Sequence, residues 1–355
     1  MALIASLLLT PLARWLGLRW NIVAVPGGRR KHAGVVSRLG SIPVFLAFVI
    51  AVVVSRLFIF SPGEEIPAGL PDVFVVVRFD PKEIIRLAGL LLGGTFIFVV
   101  GLFDDWRELS PVPQYVAQLI AAAIAVLFLI VIEYVNNPFT GSQTPDFPYL
   151  ATIIITLFWL GLMMNTVNWL DGVDGLASGV VAIACIVLFV NGVFRLNPPQ
   201  YSVALLPLAL LGATLGFLPF NFTPARIFLG SGAYLLGYIL GLLSIIGGAK
   251  MASILLVMGL PLLDVAWQII ARLARGQNPV HGDRGHLHFR LLDIGISPRQ
   301  ITVVYYVFSA LFGGLALLIP SRLYKFIALL VMGLLSLLGF LWLARKKPHA
   351  PQENK

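Results

Sequence analysis

The sequence predicts an all-α fold: a polytopic integral membrane protein of about eleven transmembrane helices, with ten as the alternative count. Three observations predict it. Of 355 residues, 59% are hydrophobic and only 12% charged, and the mean hydropathy is +0.93; a soluble domain carries about a quarter charged residues. Stretches of about 20 apolar residues, the length that spans a bilayer's hydrocarbon core, recur along the chain. The sole cysteine, Cys185, lies inside an apolar run, which excludes a disulfide framework or a cysteine-based metal site within one chain.

In chain order, the apolar runs place helices near 2–20, 41–60, 87–103, 115–135, 149–169, 174–194, 201–219, 233–249, 251–271, 301–319 and 324–344. The opening MALIASLLLT lacks a basic flank and a small-residue cleavage pattern, so an uncleaved first helix is expected. Arg14 and Arg19 shorten that helix, and glycines weaken the eighth. No internal repeat or low-complexity linker divides the chain. One multi-span catalytic domain is expected over 1–345, followed by a short basic cytoplasmic tail, 346–355.

Eleven spans put the two termini on opposite sides. With the N-terminus outside, the inner segments carry fifteen Lys and Arg and the outer ones eight, which agrees with the positive-inside rule. The outer loop 61–86 is mildly acidic, with Glu64, Glu65, Asp72, Asp80 and Glu83. The net charge of +9 is read as topology and attraction to anionic headgroups rather than as nucleic-acid binding. Every unusual polar cluster then falls on the cytoplasmic side. A transporter places such groups near the bilayer midplane on broken helices; a one-sided distribution suits a plasma-membrane enzyme whose soluble substrate arrives from the cytoplasm.

VGLFDDWRELSP ends the third helix with Asp104 and Asp105. Adjacent carboxylates repel, and a divalent cation relieves the cost; Mg²⁺ typically takes one or two carboxylates plus substrate phosphates and water. The plainer reading is a solvated helix end, which the helix dipole disfavours for an acid.

NTVNWLDGVDGLASG, 165–179, sets polar groups at Asn165, Asn168, Asp171 and Asp174. On a continuous helix these positions fan over roughly half the circumference. Gly172 and Gly175 favour a break, with one helix ending near 169 and the next beginning near Asp174. The break would turn all four side chains toward one cavity and offer a helix N-terminus to an anion. A glycine hairpin with capping Asn and Asp is the alternative.

GGRRKHAGVVSRLG, 27–40, is a basic loop that either sets topology or contacts phosphates. HGDRGHLHFRLLDIGIS, 281–297, holds Arg284, His286 and His288. The two histidines do not share a helix face, and nothing nearby completes a zinc site; as donors they suit phosphate or sugar hydroxyls. Asp264, inside an apolar helix, is a secondary candidate.

Together VGLFDDWRELSP, NTVNWLDGVDGLASG, GFLPFNFTPARIFLG and DRGHLHFRLL, in this order, resemble the polyprenyl-phosphate N-acetylhexosamine-1-phosphate transferases of glycosyltransferase family 4, over about residues 24–300. DRGHLHFRLL is most similar to the N-acetylglucosamine-type members. The resemblance implies transfer of a sugar 1-phosphate from a UDP-N-acetylhexosamine to undecaprenyl or another polyprenyl phosphate, with release of UMP and with Mg²⁺, or Mn²⁺ in its place, as cofactor. This is the first membrane step of cell-envelope glycan synthesis. By resemblance, Asp104 and Asp105 are catalytic and, with Asp171 and Asp174, metal-binding. Asn165, Asn168, Asp171, Asp174, Arg29, His32, Arg284, His286 and His288 would bind substrate. Oligomeric state stays open, a homodimer included.

Four positions depart from the family pattern. Ser231 stands where a Mg²⁺-ligating Asp is expected, in a stretch one residue short. Ala24 replaces an Asp, Gln114 a Lys, and Phe289 a second histidine. These motivate the alternative of a weakened or inactive member that binds lipid phosphate or nucleotide as a regulator.

Overall fold

The computed structural model describes residues 1–24, 34–64, 66, 75–78, 80–246, 251–277 and 285–345. Arg29, His32, Arg284 and the tail 346–355 lie outside the described residues. The chain is a helical, multi-pass membrane protein. Its helices are α1 (Ala2–Arg19), α2 (Ser41–Ser55), α3 (Glu83–Arg107), α4 (Pro111–Leu127), α5 (Tyr149–Leu170), α6 (Leu176–Val190) and α7 (Tyr201–Asn221). They continue as α8 (Gly232–Ile245), α9 (Met251–Val257), α10 (Gly259–Leu273), α11 (Leu287–Asp293), α12 (Pro298–Leu318) and α13 (Arg322–Arg345). Among the described residues, eight helices are long and apolar enough to cross a membrane, or nine if α9 and α10 form one span. The α4 and α8 helices are apolar but shorter.

Several boundaries differ from the sequence expectation. The span expected over 251–271 is broken at Met258, and its halves bend by 77°. Pro261 explains this: it has no N–H for the carbonyl of Val257, and its ring crowds that carbonyl. The helix expected over 115–135 stops at Leu127. The chain beyond it is irregular; Ile130 and Ile132 are buried while Leu129 and Val135 are exposed, and the N–H of Ile132 donates to Thr156 Oγ1 at 2.9 Å. Hydropathy reports burial, and it does not report helix.

Small residues set the packing. A Cβ on Gly237 of α8 would sit 2.6 Å from the carbonyl oxygen of Met163 on α5, and one on Gly216 of α7 would sit 2.4 Å from that of Leu3 on α1. In a lipid solvent, backbones held this close are a main source of helix attraction. The α6 helix is the most enclosed span, 72% buried, against 28% for α1 and α13. It therefore forms the axis of the bundle, packed by α7, α8, α9 and α12.

The C-terminal ends of α3, α5 and α7 meet the N-terminal ends of α6 and α8 at one end of the bundle. A small antiparallel ribbon, β1 (Val23–Ala24) with β2 (Val36–Ser37), is tied there to the chain after α7, where the N–H of Phe228 donates to the carbonyl of Ser37 at 2.9 Å. The other end carries a parallel pair, β3 (Ile59–Phe60) and β4 (Val76–Val77). There Glu83, grouped with the acidic loop in the sequence, is instead buried in the first turn of α3. Its carboxylate pairs with Arg56 at 2.8 Å and accepts from Ser202 Oγ at 2.6 Å.

Candidate active site

Asp104 and Asp105 occupy the last turn of α3, and both are buried. Successive helical residues point about 100° apart, so one partner must reach around to touch both. Ser231, just before α8, does this. Its hydroxyl lies 2.8 Å from Asp104 Oδ2 and 3.2 Å from Asp105 Oδ1, and its backbone N–H donates to both Asp105 oxygens at 3.0 and 3.1 Å. The shorter contact identifies Asp104 as the acceptor of the hydroxyl proton. Gly230 makes the approach possible: its φ is +63°, and a Cβ there would lie 2.6 Å from Asp105 Oδ2. Arg38, from the β2 ribbon, places Nη2 3.4 Å from Asp105 and pairs with Glu108 at 2.7 Å.

The second oxygen of Asp104 accepts the N–H of Leu109 at 2.8 Å and the amide of Gln114 at 3.0 Å. The chain of bonds continues. Tyr234 donates to Gln114 Oε1 at 3.0 Å, and Asn168 donates to the Tyr234 oxygen at 3.0 Å. A turn deeper, Asn165 donates to Gln118 at 2.6 Å. Buried amides without partners cost free energy, and this network satisfies those of α4 and α5 within the apolar bundle. A cavity of about 10 Å³, lined by Asp104, Gln114, Tyr234 and four apolar side chains among others, opens beside the acid pair; that is about the room one water needs.

The helix after the glycine turn begins at Leu176, two residues later than expected. Gly175 takes φ +75°, and the Asp174 carboxylate is occupied by the N–H of Ala225 at 2.9 Å. The α5 helix ends at Leu170, as expected near 169, but both asparagines lie within its regular last turns. Asn165 and Asn168 therefore serve separate partners, Gln118 and Tyr234, rather than turning into one cavity with the aspartates. Thr302 and Tyr306 of α12 brace the turn, donating to the carbonyls of Asp174 and Gly175 at 3.3 and 2.5 Å.

Asp171 has a different environment. Its carboxylate accepts no hydrogen bond among the described residues. Burial, then the nearby charges of Asp174 and Asp105, pushes its pKa well above the usual carboxylate range.

A second cluster adjoins this turn. Asp264, buried in α10, does not snorkel to the surface; one oxygen lies 3.0 Å from His286 Nδ1 and the other accepts the N–H of Leu287 at 2.9 Å. The carboxylate thus orients the imidazole and caps the start of α11. His286 stacks between Trp169 and His288 at centroid distances of 5.5 and 5.8 Å. His288 packs on Gly172 so closely that a Cβ there would sit 2.4 Å from Nε2. The turn glycine is required for this contact as well as for backbone freedom.

A divalent cation suits part of this arrangement. Among the described residues no three His, Cys, Asp or Glu side chains form a ready metal cage. The Mg²⁺ habit of one or two carboxylates, completed by substrate phosphates and water, nevertheless fits Asp104 and Asp105. An unpartnered Asp171 carboxylate near two other acids is the kind of group a cation relieves.

Sequence reasoning did not select Arg38, Gln118 or Tyr234 as site residues, and it treated Gln114 only as a departure. Two signals were available. Gln114 and Gln118 are polar residues four apart on an otherwise apolar helix, and so share one face. Tyr234 follows Ser231 by three, which places both on one side of α8.

The glycosyl transferase family 4 model matches residues 87–248, the stretch from α3 to just past α8 that carries the acid pair, the glycine turn and Ser231. Three relatives are similar over most of the chain. A Mycobacterium tuberculosis decaprenyl-phosphate N-acetylglucosaminephosphotransferase is 30% identical over 83% of this chain and 74% of its own length. A Bacillus subtilis protein described as a probable undecaprenyl-phosphate N-acetylglucosaminyl 1-phosphate transferase is 27% identical over 90% and 83%. A Yersinia pestis undecaprenyl-phosphate alpha-N-acetylglucosaminyl 1-phosphate transferase is 27% identical over 93% and 85%.

Proposed function

The chain belongs to glycosyl transferase family 4, and on that premise we propose that it transfers N-acetylglucosamine 1-phosphate from a UDP-sugar to a polyprenyl phosphate. The observation that carries the reading is the buried Asp104–Asp105 pair, held open to one end of the membrane bundle beside the Asp171 turn and the His286 cluster. In the reaction, an oxygen of the lipid phosphate attacks the sugar-bearing phosphorus of the donor. The bond to the uridine-bearing phosphate breaks, and UMP leaves with the bonding electrons. The product is a lipid-linked sugar pyrophosphate.

Phosphoryl transfer of this kind depends on positioning and on neutralising charge at the phosphoryl oxygens. Asp104 and Asp105, completed by substrate phosphates and water, are the residues that would hold Mg²⁺, which when bound would supply that neutralisation, with the Asp171 carboxylate nearby. The phosphate monoester of the acceptor is largely ionised near pH 7, so a strong base is not needed to generate the nucleophile. The donors on Asp104 and Asp105 keep the pair directed into the site. His286, oriented by Asp264, presents Nε2 for a phosphate or a sugar hydroxyl. The excess of Lys and Arg on the segments at the site's end supports a cytoplasmic active site with the N-terminus outside.

The test is a radiolabelled assay on purified full-length chain with UDP-N-acetylglucosamine, undecaprenyl phosphate and Mg²⁺. The expected result is a labelled lipid pyrophosphate and stoichiometric UMP. Folded protein that yields no product with several UDP-hexosamines would overturn the reading. The neutral hydroxyl of Ser231 at the acid pair favours a second reading in that event, a family member that binds lipid phosphate or nucleotide without turnover.

A further inference from the structure

The site's end of the bundle carries a second basic feature that the proposed reaction does not use. Arg14 of α1 and Arg226, from the chain between α7 and α8, open onto one cavity of about 180 Å³ whose other walls are Pro11, Trp15, Leu18 and Phe220. Neither guanidinium has an acidic or hydrogen-bonding side-chain partner among the described residues. A third cation, Arg19, lies 5.0 Å over the Trp15 ring. Clustered guanidiniums with no carboxylate between them leave an uncompensated positive field, which attracts anions.

The place of the cavity narrows the kind of anion. Leu8, Leu12, Trp15 and Leu18 form the exposed apolar face of α1, whereas Ala13 and Gly17 are buried against the bundle. The cavity therefore opens toward lipid in the last turns of a spanning helix, the depth at which Trp and Arg meet headgroups. Its walls are apolar on one side and cationic on the other, the pattern of a phosphate with attached acyl chains.

Arg226 also links this cavity to the acid cluster. The same short segment gives the N–H of its neighbour Ala225 to Asp174 at 2.9 Å and ends at Gly230 and Ser231 against Asp105. We propose that this cavity is a binding site for the phosphate of an anionic phospholipid in the leaflet on the site's side, and that its occupancy steadies the segment 222–230.

The experiment uses the full chain in mild detergent, with thermal unfolding followed as phosphatidylglycerol, phosphatidylcholine, undecaprenyl phosphate or inorganic phosphate is added. Wild-type protein is compared with Arg14→Gln, Arg226→Gln and the double variant; glutamine removes the charge and keeps a polar side chain. Phosphatidylglycerol should raise the wild-type midpoint beyond phosphatidylcholine. Its apparent affinity should fall roughly fivefold for each arginine lost, the effect of about 1 kcal/mol per cation at a membrane surface. A charge-retaining Arg226→Lys variant should keep most of the effect, and it serves as the control should the double variant fail to fold. Equal stabilisation of wild-type and singly substituted protein overturns the proposal. So does a full effect from inorganic phosphate, which assigns the cavity to a soluble anion, or from undecaprenyl phosphate alone, which assigns it to the acceptor. The readout does not involve turnover, so its outcome is independent of the transferase reading.

Discussion

Ser231 places its hydroxyl 2.8 Å from Asp104 Oδ2, with the acid in the last turn of α3 and the serine at the start of α8. A neutral donor thus stands against the acid pair, where the resemblance read from the sequence implies a third acid. It stabilises the pair by donation and adds no charge to it. Ser231→Ala removes the donor and leaves a buried carboxylate oxygen underserved, a loss of about 1.5–3 kcal/mol for a bond to a charged group. The expected outcome is a drop in kcat of at least about tenfold with little change in KM for the donor. Ser231→Asp is expected to lower the Mg²⁺ concentration needed for half-maximal rate. Steady-state kinetics over a Mg²⁺ titration checks both.

Asp171 is expected to sacrifice stability for function. Its pKa in the folded protein is raised, first by burial and then by Asp174 and Asp105, so the folded state holds this proton more tightly than the unfolded chain does. Stability contributed by the protonated form is present below the unfolded value near 4 and is lost as pH rises toward the raised folded value. Asp171→Asn removes that loss. In chelator-treated protein the variant should unfold at a higher temperature than wild type near pH 7, with the difference shrinking toward pH 4, while turnover with Mg²⁺ falls sharply. Thermal unfolding across pH measures the first part, and the radiolabelled assay measures the second.

Asp264→Asn keeps the shape of the side chain but removes the charge that orients His286 and caps Leu287. An expected tenfold or greater loss of kcat should come with a small change in unfolding midpoint. In a double-mutant cycle with His286→Gln the two effects should be markedly non-additive. Additive losses would assign Asp264 a structural role alone.

Gly230→Ala confronts two obstacles at once, a left-handed backbone and a Cβ 2.6 Å from Asp105 Oδ2. Destabilisation of about 1–3 kcal/mol is expected from the strained backbone, together with loss of activity as the acid pair is displaced. Gly63, also left-handed but with open space around its Cβ position, is the control. Gly63→Ala carries the backbone strain and should leave kcat unchanged.

Chelation of divalent cations should abolish turnover reversibly, with activity restored by Mg²⁺ and by Mn²⁺. Activity that persists in excess chelator would remove the cation from the proposal.

Much of the fold was legible because a membrane span is a property of local composition. Apolar runs located the helices, and the acid pair and the glycine turn stood out against them. The break at Met258 could not be read from Pro261 alone, since Pro11 in α1 and Pro207 and Pro219 in α7 lie inside unbroken helices. The stop of α4 at Leu127 was not readable. Ile130 and Ile132 are as apolar as any helical residue, and the partners that take the backbone out of the helix there, such as the Thr156 hydroxyl of α5 for Ile132 and the Phe147 N–H for the Glu133 carbonyl, lie well away along the chain.

The sequence by itself determined the class of protein, the end-loaded polar motifs and the family, because spacing and residue type survive without coordinates. Which groups meet was decided only by the tertiary structure. Ser231 lies 126 residues from Asp105, and Asp264 lies 22 from His286. Asn165 and Asn168, three apart on one intact helix, face different partners. Hydrogen bonds and close backbone approaches act over a few ångströms, and the helices that bring such distant positions together are arranged by packing that no local pattern records.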